Sequence, residues 1–158
     1  MSFSGKPTTL VDQAIVNDGF WPDLSVSEFQ KAYRLPAEYL RELLVDGLTQ
    51  AMGEVNFDLR KRKAAWQAAG IDNVETADPL LLPERAFMAS SYKRAVYCRA
   101  KAYLLQQFAT VSRRETVSRE SSSNTGKESP DTREQFLAFS QQAVRLIQGR
   151  GRMTAALL

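Results

Sequence analysis

Chemistry would first be sought at Asn124-Thr125-Gly126-Lys127-Glu128-Ser129, because glycine followed by lysine is the centre of a phosphate-cradling loop. That loop needs another glycine five positions before the second one, and Ser or Thr directly after the lysine. Ser121 and Glu128 occupy those places, so a nucleotide loop is not supported. The chain has no histidine, which removes Ser-His and Cys-His nucleophile pairs and the commonest zinc ligand. Its single cysteine, Cys98, can form neither a disulfide nor a thiolate cluster within one chain. Cys98 lies in the apolar-rich helical stretch AVYCRAKA, which reads as a buried structural thiol. Carboxylates stand singly or beside bases, with no pair suited to acid–base work. No catalytic residue, cofactor site or metal site is expected, and the chain does not read as an enzyme.

The remaining chemistry is positive charge. The net charge is +3, and the bases cluster at Arg60–Lys63, at Arg113 and Arg114, and at Arg145, Arg150 and Arg152. Such clusters can follow a phosphate backbone, and equally can be the solvated face of a long helix. Glu54 and Asp58 precede Arg60–Lys63 at helical spacing, so part of that run should form i,i+4 pairs. Tyr92, Tyr97 and Tyr103 read as packing residues rather than base-stacking ones.

Four helices must position these groups. At 158 residues the chain is long enough for one domain with a real core. No apolar run approaches the roughly 20 residues of a membrane helix, so no membrane partner is expected. Met1–Leu10 lacks the apolar core of an export signal, which points to the cytoplasm. Residues 1–19 read as an extended arm, in which Leu10–Val16 could form a short strand. Ser25 and Glu28 fit a capping box opening a helix over 26–34, which Leu35, preceding Pro36, would end. Pro36 suits the first turn of a second helix over 37–69, with Leu40, Leu44, Leu48, Ala51, Met52, Val55, Leu59 and Trp66 on one face and Gly70 as its stop. Gly47 and Gly53 inside it predict a close helix approach or a bend.

Residues 71–84 form a loop with an apolar plug, Leu80–Leu82. A third helix is predicted over 84–113, with Met88, Tyr92, Ala95, Val96, Ala102, Leu105 and Phe108 near one side and Lys93, Arg94, Arg99 and Lys101 among those on the remainder. A polar loop over 118–130 follows, either solvated and disordered or an ordered projection. A fourth helix, over 130–148, should turn Phe136, Phe139, Ala143, Leu146 and Ile147 inward, with Gly149 as its stop. The fold class is all-α: a small bundle of two long and two shorter helices with extended N-terminal and C-terminal arms. The divisions are an arm over 1–19, a helical domain over 20–149 and a C-terminal tail over 150–158. Phe20 and Trp21, ahead of the first helix with Pro22 fixing the turn, suit either a lid on the core or a protein contact.

Four segments in order resemble one family. Asp18–Leu24 (DGFWPDL) followed by Ala32–Pro36 (AYRLP) is similar to the opening of the head completion proteins of tailed temperate phages, the GpL family. Tyr92–Leu105 (YKRAVYCRAKAYLL) resembles that family's Y-x-R-A-V-x-x-x-A-K-A-x-L-L pattern. A Thr125–Lys127 loop and a closing Gly149–Leu158 (GRGRMTAALL) follow, with Gly151 where the family pattern has proline. The resemblance implies a virion structural protein that completes and stabilises the DNA-filled head. It implies a homo-oligomeric connector ring of twelve copies, between the portal protein and a tail or tail-completion protein. The host cytoplasm would be its place during assembly and the head–tail junction its place in the virion.

On that basis Phe20, Trp21 and Pro22 are candidates for portal or subunit contact. Arg119, Ser121, Asn124, Thr125, Gly126 and Lys127 would form a lumen- or tail-facing loop. Arg113, Arg114 and Lys127 would touch the phosphates of packaged DNA without sequence preference, and Arg150, Arg152, Met153, Leu157 and Leu158 would form a C-terminal arm. The alternative is a helical DNA-binding or packaging adaptor, like a small terminase subunit. It would need a helix-turn-helix at Leu35-Pro36, where the following helix starts with Glu38, Glu42 and Asp46, which repel phosphate.

Overall fold

A stretch from Arg85 to Val117 without glycine or proline, rich in Ala, Leu and long side chains, favours one uninterrupted helix. The computed structural model, which describes residues 10–35, 39–117 and 130–151, has that helix at the centre of the molecule. The elements in chain order are β1 (Ala14–Ile15), β2 (Leu24–Ser25), α1 (Val26–Ala32), α2 (Arg41–Ala68), α3 (Arg85–Val117) and α4 (Pro130–Ile147). The described chain is therefore mostly helical, with one small antiparallel pairing of Ala14 with Ser25 and Ile15 with Leu24. At 33 residues α3 is about 50 Å long, and α2 and α4 pack along it.

Six consecutive residues of α3, Ala95 to Ala100, are buried, so its middle is covered on every side. Arg99, expected on the remainder of the helix away from the apolar side, is instead 8% exposed, inside the bundle. The α2 stripe of Leu44, Leu48, Ala51, Val55, Leu59 and Trp66 is buried as its spacing predicts. Its start differs. The helix begins at Arg41, because Tyr39 is drawn into the core edge-on to Phe108, 4.0 Å between ring centroids, and Leu40 is extended and exposed. Pro36, Ala37 and Glu38 lie outside the described residues.

The glycines of α2 do not mark a forced approach. A Cβ at Gly47 would meet Leu104 at 3.8 Å, an ordinary contact, and one at Gly53 would meet nothing within 4 Å. The α4 face is rotated from its expected setting. Ser140, Ala143, Val144 and Ile147 are buried, whereas Phe139 and Leu146 stay 36% and 38% exposed. Of the loop plug only Leu82 is buried; Leu80 and Leu81 are exposed.

Helix α1 ends at Ala32, earlier than predicted, because Arg34 adopts a left-handed conformation (φ 48°) and lets Leu35 N–H reach Gln30 O at 3.2 Å. The Ser25 cap is present, its Oγ accepting from Glu28 N–H at 3.2 Å, but the reciprocal arm is relayed. Ser25 N–H donates to Tyr97 Oη at 3.1 Å, and Tyr97 Oη–H donates to Glu28 at 2.8 Å. The box thereby clamps α1 onto α3. Residues 10–19 are likewise tied to the body: Val11 N–H donates to Gln30 Oε1 at 2.9 Å, and Val26 N–H to Gln13 O at 2.9 Å.

Candidate functional site

The turn from Asn17 to Pro22 joins β1 to β2 and packs on α2 and α3. Gly19 supplies the left-handed backbone (φ 80°) that the turn requires. Asp18 Oδ1 accepts the N–H groups of Phe20 and Trp21 at 3.0 and 3.1 Å, and its Oδ2 pairs with Lys63 at 2.7 Å. Burial works against the Asp18 carboxylate, but the Lys63 bond and the two amides outweigh it and hold the group below its ordinary value. Lys63, in the basic run of α2, thus has a structural partner. Arg62 lies over the Trp66 ring at 4.8 Å and Arg60 over Phe57 at 3.9 Å, so three of the four bases serve the chain itself.

Phe20 and Trp21 are 2% and 1% exposed, and Pro22 is buried with them. Trp21 stacks on Tyr92 at 4.9 Å with planes 5° apart, meets Phe20 edge-on at 4.9 Å and lies 5.9 Å from Trp66. These side chains are core within the chain, so a partner arriving at this turn meets what they support. Asn73 Nδ2–H donates to Gly19 O at 2.9 Å and Val74 N–H to Phe20 O at 3.0 Å, binding the loop of Leu80 and Leu81 to the turn. Val16, Leu80 and Leu81 stand exposed on these two linked segments, Leu80 at 89%.

Two partly buried polar hubs hold the helices in register, and both escaped the sequence reading. Asn17 donates to Tyr92 Oη at 2.8 Å and accepts from Asn56 at 2.9 Å, while Tyr92 Oη–H donates back to Asn56 Oδ1. Burial pushes the Tyr92 phenol well above its ordinary value. Arg99 forms ion pairs with Asp58 at 2.9 Å and Glu54 at 3.5 Å and donates to Ser140 Oγ at 3.2 Å, joining α2, α3 and α4. Glu54 and Asp58 therefore spend their charge on Arg99 instead of on Arg60–Lys63. A signal was present in both cases. Asn56 sits in the α2 stripe between Met52 and Leu59, and Arg99 in the α3 stripe between Val96 and Ala102. A polar residue at a core position must find a partner.

Cys98 is buried and lies 3.6 Å from Tyr33 Oη; burial raises its pKa, as expected of an inert thiol. No group of His, Cys, Asp or Glu among the described residues could hold a metal ion, and no described helix is long and apolar enough to cross a membrane.

The other predicted residues are not gathered at the turn. Arg113 and Arg114 fall on the last turns of α3, about 30 Å along the helix from Tyr92. Arg119, Ser121, Asn124, Thr125, Gly126 and Lys127 lie outside the described residues, as do Arg152, Met153, Leu157 and Leu158. Arg150 is exposed just past α4, at the same end as the aromatic turn: a Cβ at Gly149 would lie 3.7 Å from Arg62 Nη2.

Comparison with known proteins bears on this arrangement over nearly its whole length. A model of the phage head completion protein (GPL) family matches residues 15–158. A curated relative from Haemophilus phage HP1 (strain HP1c1), named "Probable head completion/stabilization protein", is 30% identical over 156 residues, covering 99% of each chain. No solved structure matches. The match takes in the aromatic turn, both polar hubs and the four described helices, and the chain belongs to the phage head completion protein (GPL) family.

Proposed function

We propose that this protein completes and stabilises the DNA-filled head of a tailed phage as one subunit of a connector ring between portal and tail. The observation that carries it is the family match from residue 15 to residue 158, joined by a relative that aligns end to end. The bundle supports the same role by its polarity. The aromatic turn, the exposed Leu80 and Leu81 and Arg150 share one end of α3. The polar segment 118–130 departs from the other end, so one subunit can face two different partners.

In a closed ring each copy uses two different patches, one for each neighbour. Gly53 is unneeded by the chain's own packing and lies beside the exposed Phe57, which suits the approach of a neighbouring copy. At the turn, Phe20, Trp21 and Pro22 form the rigid base, and Val16, Leu80 and Leu81 touch the portal or the next subunit. The loop residues Arg119, Ser121, Asn124, Thr125, Gly126 and Lys127 face the lumen or tail. Arg113, Arg114 and Lys127 add non-specific, salt-sensitive phosphate contacts to packaged DNA. Assembly takes place in the host cytoplasm and the protein stays at the head–tail junction.

The test is to mix purified protein with portal rings and look for a second stacked ring by electron microscopy. Absence of a stacked ring at saturating protein rejects the connector role. For the loop, removal of Ser121–Lys127 should release packaged DNA or block tail joining. Wild-type levels of both would remove the loop from the mechanism.

A further inference from the structure

Between Ile71 and Glu84 the chain carries Asp72, Glu75, Asp78 and Glu84 and no lysine or arginine. All four carboxylates are exposed, and no ion pair among the described residues involves them. Among them stand Leu80 and Leu81, 89% and 50% exposed. The loop holds these groups in a fixed shape. Asp78 Oδ1 accepts from Leu80 N–H at 2.9 Å, and Asp78 O accepts from Leu81 and Leu82 N–H at 3.0 and 2.9 Å. Leu82 is buried as the anchor, and Arg85, the next base, is turned to Ala77 O at 3.2 Å. The result is an acidic knob tipped with two leucines.

An open groove of about 1100 Å3, between the N-terminal half of α3 and the outer face of α4, has the opposite character. Phe87, Phe139 and Leu146 are exposed along it, and its charged lining residues are Arg94, Arg145 and Arg150. No carboxylate among the described residues lines it, and no ion pair among them involves these arginines. The knob is held away from the groove of its own chain. Phe87 and Arg94 occupy one side of α3, and Tyr92 the other, where it meets Trp21 of the turn and Asn56 of α2. The bonds of Asn73 and Val74 tie the loop to that turn. Two surfaces complementary in charge and in apolar character thus face apart, the arrangement of a heterologous contact between identical copies.

We infer that the groove between α3 and α4 receives the Asp72–Glu84 loop of a neighbouring copy. Leu80 and Leu81 cover the apolar strip, and the loop's carboxylates meet the arginines that flank it. The loop is already held in shape within its own chain, so docking orders little new structure. The inference rests on the ring proposed above and names two surfaces that meet between its neighbours.

Disulfide trapping between full-length chains tests it. One chain carries Leu80→Cys and the other Gln142→Cys, an exposed groove position, while the buried Cys98 stays in place. The two are mixed with portal rings. The bridge between these positions should form at least about tenfold faster than one from Leu80→Cys to a chain carrying Lys61→Cys, on the exposed side of α2. That factor is the one expected from a leucine-sized contact. Glu75→Lys with Glu84→Lys in the first chain should slow the bridge about tenfold or more, and Arg94→Glu with Arg150→Glu in the second should restore it. All four sites are exposed, and melting curves confirm that the variants fold. Stacked rings without the bridge, as when another occupant fills the groove, overturn the inference and leave the connector reading standing. The bridge without stacked rings rejects the connector and keeps the contact. An unchanged rate in the folded lysine variant, or no recovery with the reciprocal swap, also overturns the inference.

Discussion

Replacing Trp21 by alanine should lower the melting temperature by about 8–16 °C. The magnitude follows by two routes. A buried tryptophan removes roughly 150–250 Å2 from water, which at about 25 cal/mol per Å2 is about 4–6 kcal/mol. Measured truncations of buried Phe or Trp to alanine cost about 3–5 kcal/mol, the cavity included. Trp21 is 1% exposed and stacks on Tyr92, so the middle of these ranges applies, about 4 kcal/mol. A chain of this size shifts by roughly 2–4 °C per kcal/mol and has about 8–24 kcal/mol in total, so the variant stays folded in the cold. Calorimetry and denaturant titration give the number. Trp21→Phe, which keeps a ring against Tyr92, should recover about half of it. A melting temperature within about 2 °C of wild type would refute the core assignment. If such a variant also failed to join portal rings, the indole would be acting at a contact.

Three further outcomes follow from the same contacts. The Asp18 carboxyl lies below its ordinary value in the folded chain, so the unfolded chain takes up the proton first as the pH falls. Its stabilising contribution is present above about pH 4 and disappears below, and Asp18→Asn should flatten the stability profile in that acid window when followed by denaturant titration. At the alkaline end burial, followed by the Glu54 hydrogen bond, pushes Tyr103 up to about 12, and burial raises Tyr33, Tyr92 and Tyr97 further. Raised folded values keep stability intact below the unfolded value near pH 10 and remove it as the pH rises through the folded ones; Tyr103→Phe should lessen the fall between about pH 10 and 12. Gly53→Ala should raise the stability of the isolated chain by about 0.4–1 kcal/mol in denaturant titration, because a Cβ there meets nothing within 4 Å. The same substitution should lower ring yield if a neighbour packs on Gly53, and full yield would move that contact elsewhere.

Local rules made much of the fold legible. The period of Leu44, Leu48, Ala51, Val55 and Leu59 defines the α2 face, Gly70 and Gly149 end their helices with positive φ, and Ser25 caps α1. What local pattern could not give came from distant partners. Asp58 and Ser140 are each 41 residues from Arg99, so its place in the α3 stripe signals burial but no window of sequence names the partners that satisfy it. Tyr39 delays the start of α2 through Phe108, far along the chain. The α4 face was misjudged because aromatic residues rank as core by composition, yet Phe139 meets Arg94 across 5.5 Å at the groove while Ser140 takes the inward place, donating to Ala95 O at 2.7 Å. For the aromatic turn, the sequence raised the choice between core and contact, and burial assigns the rings to the core.

That assignment alters how assembly should be probed at this end of the molecule. A turn whose aromatics are buried transmits a change through stability, so loss of assembly in a core variant has two possible causes. A change at Leu80, 89% exposed on the loop that Val74 and Asn73 tie to the turn, has only one. Surface substitutions away from buried partners usually shift stability by less than about 0.5 kcal/mol. The far end of α3 is about 30 Å away, beyond the reach of direct coupling, so effects of the turn and of the 118–130 segment should add. Departure from additivity in ring assembly, with additivity kept in folding, would then come from the assembled partner and not from the subunit.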